Sequence, residues 1–213
     1  MNIFDRNTSG RERQRGQGLV EFTLVAPVIL MILAGIVEVA LVANDSLTLG
    51  YGSREGARAA SALGSGGAVG CADGDDPADV DATVVAGVQR ILGSPGSNVA
   101  LSDVEELRIF KATPSGARID SAVNRWRYAG EDAGYALGPG EDAKRLDFYP
   151  VASLWPACQR LYSPASPDSI GVEIVYRRSL QSPAALLLRA VGGPDMASLT
   201  LSETTVMALN PTY

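Results

Sequence analysis

The chain has no histidine among its 213 residues. Ser-His-Asp and Cys-His catalysis, histidine metal ligation and histidine pH switching are therefore excluded. It has two cysteines, Cys71 and Cys158, too few to form a four-ligand zinc site by themselves. No G-x-S-x-G and no phosphate-loop pattern occurs. A hydrolase would need paired carboxylates or a Ser-Lys pair. Adjacent acids such as Glu105-Glu106 and Glu141-Asp142 point different ways on a strand and read as solvated. Basic charge is also in deficit, with a formal net charge of −6. That acidity argues against nucleic acid or an anionic membrane surface as partner. The expectation is a chain that is not an enzyme and carries no cofactor or metal.

A local absence is more informative. From Phe22 to Val37 there is no charged residue, and only Thr23 is polar. Glu38 interrupts, and Val39 to Ala43 completes an apolar run over residues 22–43. At about 1.5 Å per residue that run spans about 33 Å, enough to cross a bilayer core of about 30 Å. Arg6, Arg11, Arg13 and Arg15 precede it against Asp5 and Glu12. Basic residues before the span place the N-terminus in the cytoplasm and everything after Ala43 outside. A secretory signal peptide has an apolar region of about 7–15 residues, shorter than this one. A plain signal anchor leaves two residues unexplained, Gly16 and Glu21. A carboxylate near hydrocarbon is costly and marks a functional site by default.

The stretch R-G-Q-G-L-V-E-F, Arg15 to Phe22, resembles the N-terminus of pilins processed by a prepilin peptidase. In that family cleavage follows a glycine, and a glutamate stands fifth in the mature chain. Cleavage after Gly16 would make Gln17 first, Glu21 fifth and Phe22 sixth. Glutamate followed by an aromatic is similar to the tight-adherence (Flp, type IVc) branch, and the chain's length resembles its longer minor pseudopilins, the TadE-like proteins. Two further segments agree: S-R-E-G-A-R-A-A, Ser53 to Ala60, and S-E-T-T-V-M-A-L-N-P, Ser202 to Pro211. The second departs from the family's frequent Glu-Pro in having Asn210-Pro211. The resemblance implies a structural subunit of a pilus or related secretion machine in the bacterial inner membrane. Its implied partners are a prepilin peptidase, other pilins and the pilus assembly platform. Glu21 and Phe22 are the implied assembly residues, with Glu38 as a further acid that either snorkels to the interface or takes part in pairing. Removing residues 1–16 takes away four arginines and two acids, which leaves the mature chain at −8.

Beyond the span, helix should continue to Leu63, because Asn44 to Leu63 contains no proline and is alanine-rich. Gly52, Gly56 and Ala60 recur every four residues and place small groups on one face, which permits close packing. Glu55 and Arg58 are placed to pair on a solvated face. Residues 64–81 read as a flexible acidic linker. Its run Asp73 to Asp81 could bind calcium, but it lacks the order of an EF-hand loop. The alternative makes Asp76 a helix cap and Pro77 the first helical residue, with Asp79 and Asp81 at the positive helix end.

Residues 82–213 read as an extracytoplasmic α+β head. Ala78 to Leu92 has helical periodicity. Strands are expected at Val104 to Ala112, Ser121 to Ala129, Ile170 to Arg178 and Ala197 to Leu209, with a turn at Thr113 to Gly116 and a short helix at Pro183 to Val191. In the first strand Leu107, Ile109 and Lys111 alternate against Arg108 and Phe110. The region 130–168 reads as a long loop holding Cys158. Two cysteines beyond the membrane read first as a Cys71–Cys158 disulfide, with two separate buried thiols as the competing reading. The rival to a pilin is a single-pass signal-anchored protein with a ligand-binding or adhesive head.

Overall fold

The computed structural model describes residues 9–65, 71, 78–138, 140, 143–162 and 166–210. The architecture is α+β: a long N-terminal apolar helix, then a head with a five-stranded antiparallel sheet and short helices. Helix α1 runs Ser9–Leu63 and carries Pro27 inside it. It starts within the expected leader. The chain divides into two compact units. One comprises Met1–Leu41 with Leu180–Ala197, and the other Val42–Ser179 with Ser198–Tyr213.

The larger unit is the head. Helix α2 spans Ala78–Leu92, as its periodicity predicts. The expected cap at Asp76 and Pro77 lies outside the described residues. The strands are β1 (Val104–Ala112), β2 (Arg118–Tyr128), β3 (Phe148–Ser153), β4 (Ser169–Ser179) and β5 (Ser198–Ala208). Their order is β3-β2-β1-β4-β5. The turn before β2 closes where expected: the Gly116 N–H donates to the Thr113 carbonyl at 2.8 Å, and Gly116 takes φ +86°. Glycine reaches that left-handed conformation without strain.

One face of the sheet forms the main core. Leu107, Ile109, Trp126, Val172 and Ile174 pack with Leu49, Ala57 and Ala60 of α1 and with Val84, Val88 and Leu92 of α2. The small-residue stripe of α1 makes this close approach possible. A Cβ on Gly56 would lie 2.7 Å from a methyl of Val88 and 3.0 Å from one of Val172. A Cβ on Gly52 would lie 3.1 Å from Ile174 and 3.2 Å from Leu92.

The structure corrects several expectations. The region 130–168 is not all loop, because it contains β3, the edge strand beside β2. Pro150 and a mostly exposed burial pattern hide that strand in the sequence, and an edge is where a sheet tolerates proline. Lys111 does not join the core row of Leu107 and Ile109. The β1–β2 register shifts between Phe110 and Ala112, and Lys111 pairs with Asp168 at 2.8 Å. Phe110 is buried with Ala112 and Val123 in a separate small cluster. Glu55 meets Arg90 of α2 at 3.4 Å, so its partner comes from the neighbouring helix.

Candidate functional site

The sequence motif sits on the surface of α1. Gln17 and Glu21 are exposed, one helical turn apart, and the Gln17 side-chain amide donates to Glu21 Oε1 at 3.5 Å. Phe22 beside them is 70% exposed. Apolar side chains continue outward along the run, including Leu24, Ile29, Leu33 and Val37. Thr23 is the polar exception, and its hydroxyl donates to the Leu19 carbonyl at 2.8 Å, which satisfies it within the helix. The helix over residues 17–63 is long and apolar enough to cross a membrane. Gly16 lies in the helix.

Glu38 has local partners. Its two carboxylate oxygens accept from the Gln181 backbone N–H at 3.3 and 3.2 Å. Gln181 immediately precedes Ser182, the cap of helix α3 (Pro183–Gly192), whose side chain accepts from the Ala185 N–H. That helix is the short one expected at Pro183 to Val191.

In the head, the part of α1 that follows the apolar run is stitched to β5. Ser46 donates to Glu203 at 2.7 Å, and Ser53 shares a 2.9 Å hydrogen bond with Thr205. Ser61 donates to the Ala208 carbonyl at 2.5 Å, and its own carbonyl accepts from Asn210 at 3.1 Å. Sequence reading missed this seam. The signal was available: Ser46, Ser53 and Ser61 recur every two turns and so share a helix face.

Two buried ion pairs were also missed. Asp45 pairs with Arg178, and Asp81 with Arg160. Asp81 also accepts from Asn124 at 2.6 Å, while Asn124 exchanges hydrogen bonds with the backbone of Trp155, both at 2.7 Å. Arg160 lies 5.0 Å from the Trp155 ring centre. Asp81 stands three and four residues before Val84 and Val85, on the core stripe of α2. Its position there signals a buried acid with a partner, more than a helix-end charge. The remainder of the acidic run, Asp73 to Asp79, has no described side chains. Among the described residues no cluster of acids or cysteines could hold a metal ion.

Cys71 and Cys158 form a disulfide with Cα atoms 5.1 Å apart, closing a separation of 87 residues. The competing reading of two thiols is overturned. The paired acids also separate. Glu105 pairs with Arg177 at 2.6 Å. Glu106 is buried and bonds Arg108, with Arg127 at 3.5 Å and Arg125 at 3.9 Å. It is therefore not a solvated acid. Glu141-Asp142 lies outside the described residues. On the same side as Arg108, Glu173 accepts from Arg108 at 3.1 Å, Arg118 at 2.5 Å and Ser202 at 3.0 Å. Burial alone would raise the Glu173 pKa. The hydrogen bonds from Arg108 and Ser202 and the charges of Arg108 and Arg118 outweigh it and hold the carboxyl below its ordinary value.

Residues 16–58 match the family model of TadE-like proteins. The segment is TadE-like. The matched stretch opens on Gly16, takes in Gln17, Glu21, Phe22 and Glu38, and ends within α1. No curated protein and no solved structure matches the chain. The TadE-like segment supports a pilin-like protein associated with the tight-adherence pilus. With one candidate spanning helix, it fits a membrane-anchored protein.

Proposed function

We propose that the chain is a minor pilin, a structural subunit that assembles into a tight-adherence pilus or a related secretion machine. The TadE-like match beginning at Gly16 carries this reading, because it covers the residues that cleavage and assembly would use. A prepilin peptidase cuts between Gly16 and Gln17. The basic leader stays in the cytoplasm, and the head stands outside the inner membrane. The chain acts through contacts with other pilins and the assembly platform, with no catalysis of its own.

Cleavage gives Gln17 a free amine one helical turn from Glu21. A charge in hydrocarbon is costly alone and tolerated when paired. The Glu21 carboxylate meets its own amine or that of a neighbouring subunit. Pairing between subunits sets axial register, while the exposed apolar side chains from Phe22 to Val37 supply adhesion.

The test is Glu21→Ala, compared with wild type at matched membrane levels. The variant is expected to insert and be processed, yet to be lost when the pilus or its minor-pilin complex is isolated. Wild-type incorporation would show that Glu21 does not determine assembly.

A further inference from the structure

The strands β4 and β5 pair to their ends, with Ser179 opposite Ser198. A turn of about two to five residues is enough to join such a pair. The chain instead inserts Leu180–Ala197, which holds α3 and a short 3-10 turn. That insertion groups with residues 1–41 in the smaller unit. Its entry is bonded to the spanning helix, because the Gln181 N–H donates to Glu38.

The position of Glu38 fixes a depth. It lies about five residues inside Ala43, the outer end of the apolar run, or about 7.5 Å at the helical rise. Helices that lie in a membrane interface sit about 5–10 Å into the headgroup–acyl boundary. The outward side chains of the insertion suit that place. Leu186 is 58% exposed, Val191 90% and Met196 58%. Ala185 and Ala197 are buried. Its two ionisable residues are Arg189 and Asp195, and Arg189 turns back to donate to the Leu180 carbonyl at 2.8 Å. Among its described residues the insertion thus exposes three large apolar side chains in the unit that also holds most of the apolar run, with Asp195 as its exposed charge.

We infer that Leu180–Ala197 is a second membrane-contacting element, with α3 lying in the headgroup–acyl boundary and docked on Glu38. This rests on residues 22–43 spanning the bilayer. The occupant of the exposed face is lipid: Leu186, Val191 and Met196 are exposed, and the segment that carries them is tied to the apolar run at interfacial depth through Glu38.

Tryptophan reporters in the full chain test this. Leu186→Trp and Val191→Trp occupy exposed positions, so both should fold. The native Trp126 and Trp155 are buried in the head and give a constant background. Ile29→Trp reports on the span, and Leu161→Trp on an exposed site of the head. Each protein is reconstituted in phosphatidylcholine vesicles with or without bromine on the upper acyl chain, and each is titrated with iodide. The expected result is blue-shifted emission at positions 186 and 191, lost to bromolipid and resistant to iodide, with Leu161→Trp the reverse. Iodide quenching at 186 and 191, with bromolipid still quenching Ile29→Trp, overturns the α3 placement and leaves the span intact. Resistance to both quenchers shows a protein partner or second copy on that face and also overturns it. Loss of bromolipid quenching at every reporter, Ile29→Trp included, overturns the spanning reading and the inference together.

Discussion

Asp45 and Arg178, 133 positions apart in the chain, form a buried ion pair between the part of α1 that follows the apolar run and the end of β4. Asp45 is fully buried and Arg178 nearly so. Removing one member of such a pair leaves an uncompensated buried charge and costs about 3–5 kcal/mol. Arg178→Met strands the fully buried Asp45 and is therefore expected to lower the stability of the head by about that much. The double variant Asp45→Leu/Arg178→Met should recover much of the loss. Thermal unfolding of the detergent-solubilised chain checks this. Equal losses in the single and double variants would mean that the charge is not the cause.

The small residues of α1 differ in what they permit. Gly56 faces Val88 and Val172, whereas a Cβ on Gly50 would meet nothing within 4 Å. Gly56→Leu should cost at least about 1–3 kcal/mol through overpacking. Gly50→Ala should gain up to about 1 kcal/mol, since glycine is a poor helix former. Melting temperatures that move in the same direction for both would contradict the packing assigned to this face.

Much of this fold was legible because periodicity survives burial. The 3.6-residue pattern set the bounds of α2, and the four-residue recurrence of Gly52, Gly56 and Ala60 marked a packed face. The edge strand β3 was hidden, because Pro150 and exposed neighbours give it no alternation. The ion pairs were hidden for a different reason. Asp45 and Glu106 resemble surface acids until their partners are known: Arg178 lies far along the chain in β4, and Glu106 bonds Arg108 of its own strand and gathers Arg125 and Arg127 from β2. Of the candidate site, Gln17, Glu21 and Phe22 were singled out by the resemblance of Arg15 to Phe22 to a prepilin N-terminus, and the TadE-like match covers them. The bond from Gln181 to Glu38 was not, because no local pattern links those positions.

The disulfide should matter for folding. Reducing it, or replacing both cysteines by serine, frees a loop of 87 residues. By the chain-entropy model that removes about 4 kcal/mol, equivalent to a fall in melting temperature on the order of 10 °C for a chain of this size. Unfolded, unreduced protein should show no free thiol to a labelling reagent. Two labels per chain would refute the bridge.

Acid should weaken the outer side of the sheet through Glu173. Its folded pKa lies below the ordinary 4.5, so the unfolded chain takes up this proton more readily than the folded one. The stability that results is complete above about pH 4.5 and disappears as the pH falls through the folded value. Glu173→Gln should remove part of the acid-induced destabilisation, with its largest difference from wild type near neutral pH. Parallel stability–pH curves for the two proteins would show that this carboxylate is not responsible.

The mature N-terminus tests the central claim most directly. The chain is expressed in a host with a functional prepilin peptidase, purified from the membrane and measured by intact-mass and N-terminal peptide mass spectrometry. The account predicts a protein that begins at Gln17, with residues 1–16 absent, and a full-length protein when the peptidase is missing. An intact leader in the competent host, or cleavage near Ala43, would contradict it.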